Sequence, residues 1–244
     1  MKKLLYAIIA VPVIGAAGYF AVNERLPYGE QGPEAEELAD KVLSAVNIQG
    51  WDSITAVKWT FRNDHKFIWD KQRHLVQVEW QEYKAQLNTT TKKGKAWLSG
   101  NRVQDKEAEL DLVQKAWALF ANDSFWFAAP FKIRDPGTER RLVKLGKSNG
   151  LLVTYTSGGV TPGDSYLWLL DEDGRPNGWK MWVNILPIGG LQFSWEGWET
   201  FDHDTQISLR HLGVVDVNIN DLETALNIEQ LYDGEDPFTD FEYY

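Results

Sequence analysis

The chain contains no cysteine among its 244 residues. That excludes disulfide frameworks, thiol nucleophiles, thiolate metal sites and attachment of a lipid to an N-terminal cysteine. It also lacks a basic excess: 25 Lys and Arg against 35 Asp and Glu leave a formal charge of -10, a field that repels nucleic acid and the anionic face of a membrane. No glycine-rich phosphate loop, GxSxG elbow or HExxH pair occurs, so the commonest recognisable catalytic plans are missing. The four histidines, His65, His74, His203 and His211, are scattered. Only Asp202-His203-Asp204 gathers hard ligands, and a turn between two strands explains that composition. No metal or cofactor is expected. Internal repeats, heptads and low-complexity tracts are absent as well.

Long uncharged runs are scarce, with one exception. Lys2 and Lys3 precede a stretch from Leu4 to Val22, 19 residues without a charge, which as a helix spans about 28 Å and nearly matches a bilayer core. The lysines ahead of it orient everything after Asn23 away from the cytoplasm. Gly15 and Ala17 have the small side chains a signal peptidase accepts, so residues 1–22 read as a signal peptide or a transmembrane anchor. Residues 23–32 mix charge, Pro and Gly without periodicity and read as a linker.

Pro33 fits the first position of a helix whose early Glu34, Glu36 and Glu37 complement its positive end. Leu38, Val42, Ala45 and Val46 give that helix one apolar stripe. From Val57 the period becomes two: Val57, Trp59 and Phe61, then Val76, Val78 and Trp80, then Tyr83, Ala85 and Leu87 alternate with polar neighbours, Leu75 being an exception. The intervening turns are too short for helical crossovers, so an antiparallel meander follows. A second helix is predicted over Asp105 to Asn122, with Leu110, Val113, Trp117, Phe120 and Ala121 on one face, and Phe125-Trp126-Phe127 comes directly after it. Strand patterns resume from Leu151 to Leu209. Asp135-Pro136-Gly137-Thr138 and Thr161-Pro162-Gly163-Asp164 read as type II turns, because Gly in third place supplies the positive φ.

The predicted architecture is mainly β (α+β). One curled antiparallel sheet, or incomplete barrel, of about eleven strands covers two helices, behind an N-terminal hydrophobic helix. Residues 33–220 form this domain. Residues 221–244 carry eight acids and no base, -8 of the net -10, and read as a solvated, poorly ordered tail.

Aromatics are abundant, with 12 Trp, 9 Tyr and 11 Phe. Trp182 and Trp198 lie on the strand face opposite to Met181 and Trp195, and Trp168 is flanked by Leu167 and Leu169, so some strands have two apolar faces. Either helices cover the second face or the sheet curls around an apolar space open to a ligand. Core packing accounts for any single tryptophan. Glu196 with Glu199, or Asp164 with Asp202, offers a carboxylate pair of the kind glycosidases use, although 35 acids make chance pairs inevitable.

The run Phe125-Trp126-Phe127-Ala128-Ala129-Pro130-Phe131-Lys132-Ile133-Arg134-Asp135-Pro136-Gly137, with Thr161-Pro162-Gly163-Asp164-Ser165-Tyr166, resembles the hallmark segments of an uncharacterised family of envelope proteins. That family is assigned to the LolA-like fold of lipoprotein carriers, in which an incomplete barrel wraps helices and leaves an apolar cleft. The order of elements is similar too. The resemblance implies noncatalytic binding of a lipid-like or acyl ligand, or of a lipid-bearing partner, in the bacterial cell envelope. It implies a lining of aromatics, for which the candidates are Trp117, Phe120, Trp126, Trp168, Trp182 and Trp195. It carries over no catalytic residue. A retained anchor makes the protein a local receptor on the periplasmic side of the inner membrane. Two alternatives stand beside this reading: an envelope glycan-acting enzyme using paired carboxylates, and an interaction module without a ligand cavity, docking an unidentified protein through its acidic tail.

Overall fold

The structure is a computed structural model that describes residues 23–241. The hydrophobic stretch Leu4–Val22 lies outside the described residues, and no helix among those described is long and apolar enough to cross a membrane. The chain runs α1 (Pro33–Ala45), α2 (Ile48–Ser53), β1 (Ala56–Phe61), β2 (His65–Asp70), β3 (Leu75–Trp80), β4 (Tyr83–Asn88), β5 (Gly94–Leu98), β6 (Asn101–Arg102) and α3 (Lys106–Ala128). It continues as β7 (Thr138–Leu145), β8 (Ser148–Tyr155), β9 (Ser165–Leu170), β10 (Pro176–Trp182), β11 (Leu191–Ser194), β12 (Glu196–Phe201), β13 (Thr205–His211) and β14 (Val217–Ala225).

The fold is mainly β, and the expectation of one curled sheet of about eleven strands is corrected. There are two open sheets: one of nine strands in the order β12-β13-β14-β1-β2-β3-β4-β5-β6, and one of five in the order β11-β10-β9-β8-β7. Neither closes into a barrel. Helix α3 separates the two meanders along the chain. At the other junction β11 ends at Ser194 and β12 starts at Glu196, so Trp195 alone carries the chain from one sheet to the other. Ser194 N–H donates to Leu212 O at 2.8 Å, and Leu212 N–H donates to Ser194 Oγ at 2.9 Å, which stitches that seam. Strand β7 was not anticipated because its sequence TERRLVKL hides the alternation: the inward-facing Arg140 is paired with Glu36 of α1 at 2.8 Å.

Helix α3 also runs further than its periodicity suggests. Asp105 caps it by accepting Ala108 N–H at 2.8 Å. The helix passes through Asn122 and takes in the whole Phe125-Trp126-Phe127 run before Pro130 tightens it into a 3-10 turn over Ala129–Lys132. Successive helical residues point about 100° apart, so these three rings reach both sheets. Phe125 meets Tyr166 and Tyr155 at centroid distances of 5.0 and 5.2 Å. Trp126 meets Phe193 at 4.9 Å and Trp179 at 5.3 Å. Phe127 turns the other way, onto Trp59 at 4.9 Å and Trp51 at 6.2 Å.

The two flanking segments are folded, contrary to the linker and the solvated tail expected of them. Strand β14 runs across Asn220 and pairs with β1, so Asp221–Ala225 belong to the nine-stranded sheet. Beyond it Ile228, Leu231, Phe238 and Phe241 bury against Ala56, Ile68 and Leu75 on the sheet face that α3 does not cover. Arg73 clamps the segment by donating to both carboxylate oxygens of Asp236 at 2.7 and 2.8 Å. Those hydrogen bonds hold the Asp236 carboxyl below its ordinary range. At the other end Glu30 pairs with Leu142 through reciprocal backbone bonds of 2.9 and 2.8 Å. Gly29 lies so close to β7 that an added Cβ would stand 2.8 Å from the Arg141 Cβ.

His211 sits at the seam, fully buried, with Nδ1 3.2 Å from Ser194 O and its ring against Trp195 at 4.5 Å. Burial lowers its pKa from 6.5 to about 4, against the carbonyls of Ser194 and Trp126, which favour the cation.

Two outcomes follow. Phe127→Ala empties a fully buried site and should cost about 3–5 kcal/mol, read as a fall in Tm or denaturant midpoint. A solvent-face change such as Glu107→Ala should leave both unchanged. His211 has a depressed folded pKa, so between about 6.5 and about 4 only the unfolded chain takes up its proton. Stability is therefore complete above pH 6.5 and is lost as pH falls through that window, by on the order of 3 kcal/mol. Urea midpoints measured from pH 7 to pH 4 should fall in the native chain and fall less steeply in His211→Gln.

Candidate functional site

The six candidate aromatics do not line one space. Trp117 and Phe120 lie 5.9 Å apart on α3, and Phe120 packs on Trp69 of β2 at 5.1 Å. Lys92 stands 4.7 Å over the Trp117 ring. Trp126, Trp168 and Trp195 are gathered elsewhere, around a residue that pattern alone did not single out, Trp179 of β10. Its ring is 5.3 Å from Trp126, 5.1 Å from Trp168 and 5.0 Å from Trp195. Trp168 and Trp195 are also 4.9 Å from each other. With Trp168 at 0% exposure, a ligand would reach this triad only by displacing packed rings. The indole N–H groups of Trp168, Trp179 and Trp195 have no hydrogen-bond partner among the described residues. Each such donor costs about 1–3 kcal/mol, a cost offset by the apolar area the three rings remove from water.

Trp182 is different. Register puts it opposite Ser165, on the face of the five-stranded sheet turned away from Trp168 and Trp179. There it joins the cluster of Val143, Leu152 and Leu167 and donates its indole N–H to Glu24 O at 2.8 Å. It lines a surface cavity of about 290 Å³ with Asn23, Leu26, Val183, Leu186 and Ile188. Gly163 and Ser165, from the Thr161–Tyr166 segment, lie in the same wall. Gly163 has φ 101°, as the type II turn requires. Asp164 is buried beneath it, accepting from Thr161 Oγ1 and, at 2.8 Å, from Asn184 N–H, and this holds the two loops together. The Asp135–Thr138 turn closes at the same end of the sheet, where Gly137 O accepts Thr156 N–H at 2.7 Å. Both motif segments thus dock on the end of β8.

A larger cavity of about 660 Å³ lies between the Thr200–Asp202 and Leu222–Leu226 segments, with Gln230 and Leu231. Asp202 closes part of it by accepting from Thr224 Oγ1 at 2.6 Å. Asp164 and Asp202 therefore belong to different sheets. Glu196 is ion-paired to Arg210 at 2.8 Å, which lowers its pKa. Asp202-His203-Asp204 forms a 3-10 turn in which His203 adopts φ 56°, and no metal-ligating cluster occurs among the described residues.

One polar constellation had no sequence signal because its members are 58 residues apart. Asp123 of α3, 1% exposed, accepts from Asn122 Nδ2 at 2.9 Å and lies 2.7 Å from His65 Nδ1. Burial raises the Asp123 pKa, with the hydrogen bonds from Asn122 and His65 opposing. His65 Nε2 lies 3.4 Å from Asp64. A carboxylate that orients an imidazole is half of a general-base arrangement. The pair ties α3 to the β1–β2 hairpin.

No family model and no curated protein matches the sequence. Among solved structures, a DUF1329 family protein from Desulfovibrio piger is similar over 82% of this chain and 97% of that chain, with 7% identity and a TM-score of 0.42. Likeness at that level carries no argument about function.

Removing one partner of the buried pair leaves the other uncompensated. His65→Ala should therefore destabilise the chain by on the order of 3 kcal/mol, and by clearly less in an Asp123→Asn background. Equal losses in the two backgrounds, measured by urea unfolding, would show that the pair is uncoupled.

Proposed function

We propose that the chain is a noncatalytic binder of a lipid-like or acyl ligand in the bacterial cell envelope, held on the periplasmic side of the inner membrane by Leu4–Val22. The observation that carries this reading is the cavity beside Trp182. Its Leu26, Val183, Leu186 and Ile188 supply apolar walls, and Asn23 and Asn184 supply polar groups at one edge. Its volume of about 290 Å³ lies just below the range of about 300–1,000 Å³ for ligand sites, which suits one acyl segment with its polar end in water. The Thr161–Tyr166 segment, which carries the resemblance to LolA-like envelope proteins, forms part of the wall. Of the carboxylates considered for the glycan-acting alternative, Asp164 and Asp202 lie beside different sheets and Glu196 is ion-paired to Arg210.

Lipid extraction and mass spectrometry on the purified full chain should recover an amphiphile, and added palmitate should bind. Trp182→Ala removes an apolar wall worth about 1.5–3 kcal/mol and should weaken palmitate about tenfold or more. Leu186→Asp should weaken it as well, and Trp168→Phe should not. Recovery of no amphiphile with no palmitate binding overturns the reading. Loss confined to Trp168→Phe would move the site into the interior.

A further inference from the structure

The loop 183–190 is strongly apolar for a surface segment. Ile185 is 69% exposed and Leu186 40%, and Leu26 at 45% lies beside them across the cavity. What could cover these residues follows from how residues 23–30 are held. Asn23 Oδ1 accepts Gly189 N–H at 2.8 Å, and Glu24 N–H donates to Gly189 O at 3.0 Å. Glu24 O accepts the Trp182 indole, and its carboxylate takes Lys180 Nζ at 2.7 Å through both oxygens. The seat demands glycine: a Cβ on Gly189 would stand 2.3 Å from Trp182 Cδ1, and one on Gly190, at φ 81°, would stand 2.5 Å from Glu24 Cβ. Glu30 is bonded to β7 at the far end of the segment, and α1 starts at Pro33. The segment is a strap fixed at both ends, with no slack to act as a spacer.

We infer that the loop after the buried Val183, Asn184–Gly190, together with Leu26, is seated in the lipid headgroup layer of the membrane that the Leu4–Val22 segment enters. The inference rests on the reading of that segment as a retained anchor. Consecutive Cα atoms are about 3.8 Å apart, so a hydrocarbon-spanning helix that ends at Val22 places Asn23 in the headgroup layer, which is roughly 5–8 Å deep on each side. Because Asn23 is bonded to Gly189, the loop is carried to the same depth. Charge agrees with this placement. Lys180 neutralises Glu24, Asp164 is buried and hydrogen-bonded, and Arg25 is exposed on the strap itself, where an anionic headgroup would receive it. The C-terminal acids lie on the nine-stranded sheet instead. The acyl cavity would then open at the bilayer surface, so a lipid could pass into it without crossing water.

The chain has no cysteine, so single labelling sites are clean. Full-length Ile185→Cys and Leu186→Cys, and Glu172→Cys in the hairpin at the opposite end of the five-stranded sheet, would each carry an environment-sensitive fluorophore. They would be reconstituted in vesicles of phosphatidylethanolamine and phosphatidylglycerol containing nitroxide-labelled lipid. Labels at 185 and 186 should be blue-shifted and quenched about threefold more than the label at 172, as expected for side chains about 5–10 Å into the headgroup and acyl boundary. Equal quenching at all three sites, in protein that floats with the vesicles after an alkaline wash, overturns the seating and leaves the anchor intact. Protein that does not float overturns the anchor reading and the seating with it.

Discussion

Three consecutive aromatic side chains on one helix cannot share a face, because each step turns the chain by about 100°. In this protein that geometric fact joins the two sheets. Phe127 packs toward Trp51 and Trp59 of the nine-stranded side, while Phe125 and Trp126 pack into the five-stranded sheet against Tyr166, Trp179 and Phe193. The apolar interior is continuous through this point, from Val42 of α1 to Phe193 of β11. The other features of the interior depend on it. His211 is kept neutral by its burial between Trp126 and Trp195, and Asp123 sits one turn earlier on the same helix, facing His65.

The aromatic surplus and the proposed ligand site are therefore separate matters. Most of the tryptophans solve a packing problem, filling the space between the two sheets with large, flat, closely interlocked rings. The proposed acyl site lies outside, where Trp182 faces away from that interior and the strap at Asn23 and Glu24 borders a shallow cavity. A protein tethered at that strap would present its cavity to the membrane rather than to the aqueous compartment.

Several outlying residues in the patterns acquire physical reasons once the chain is folded. Leu75, the apolar residue on the wrong face of β3, is covered by Ile228, Leu231, Phe238 and Phe241. The acids of the C-terminal segment obscured those four apolar residues, and no local rule reveals that Arg73, 163 residues before Asp236, will clamp it. The charged strand Thr138–Leu145 escaped the alternation because its inward arginine is neutralised by Glu36 from another element. Pattern marks Trp179 only as a strand position, because its importance lies in neighbours from distant segments.

Local chemistry was enough to determine the antiparallel meanders, the positive-φ glycines at 137 and 163, the helix start at Pro33 and the turn at Asp202–Asp204, since each depends on residues a few positions apart. Tertiary structure alone decided that the strands divide into two sheets, that the described segments 23–30 and 226–241 are held against them, and that Trp182 turns away from the interior. Those outcomes rest on which distant surfaces bury one another. Area removed from water is a property of pairs of surfaces, and a single stretch of sequence carries only one member of each pair.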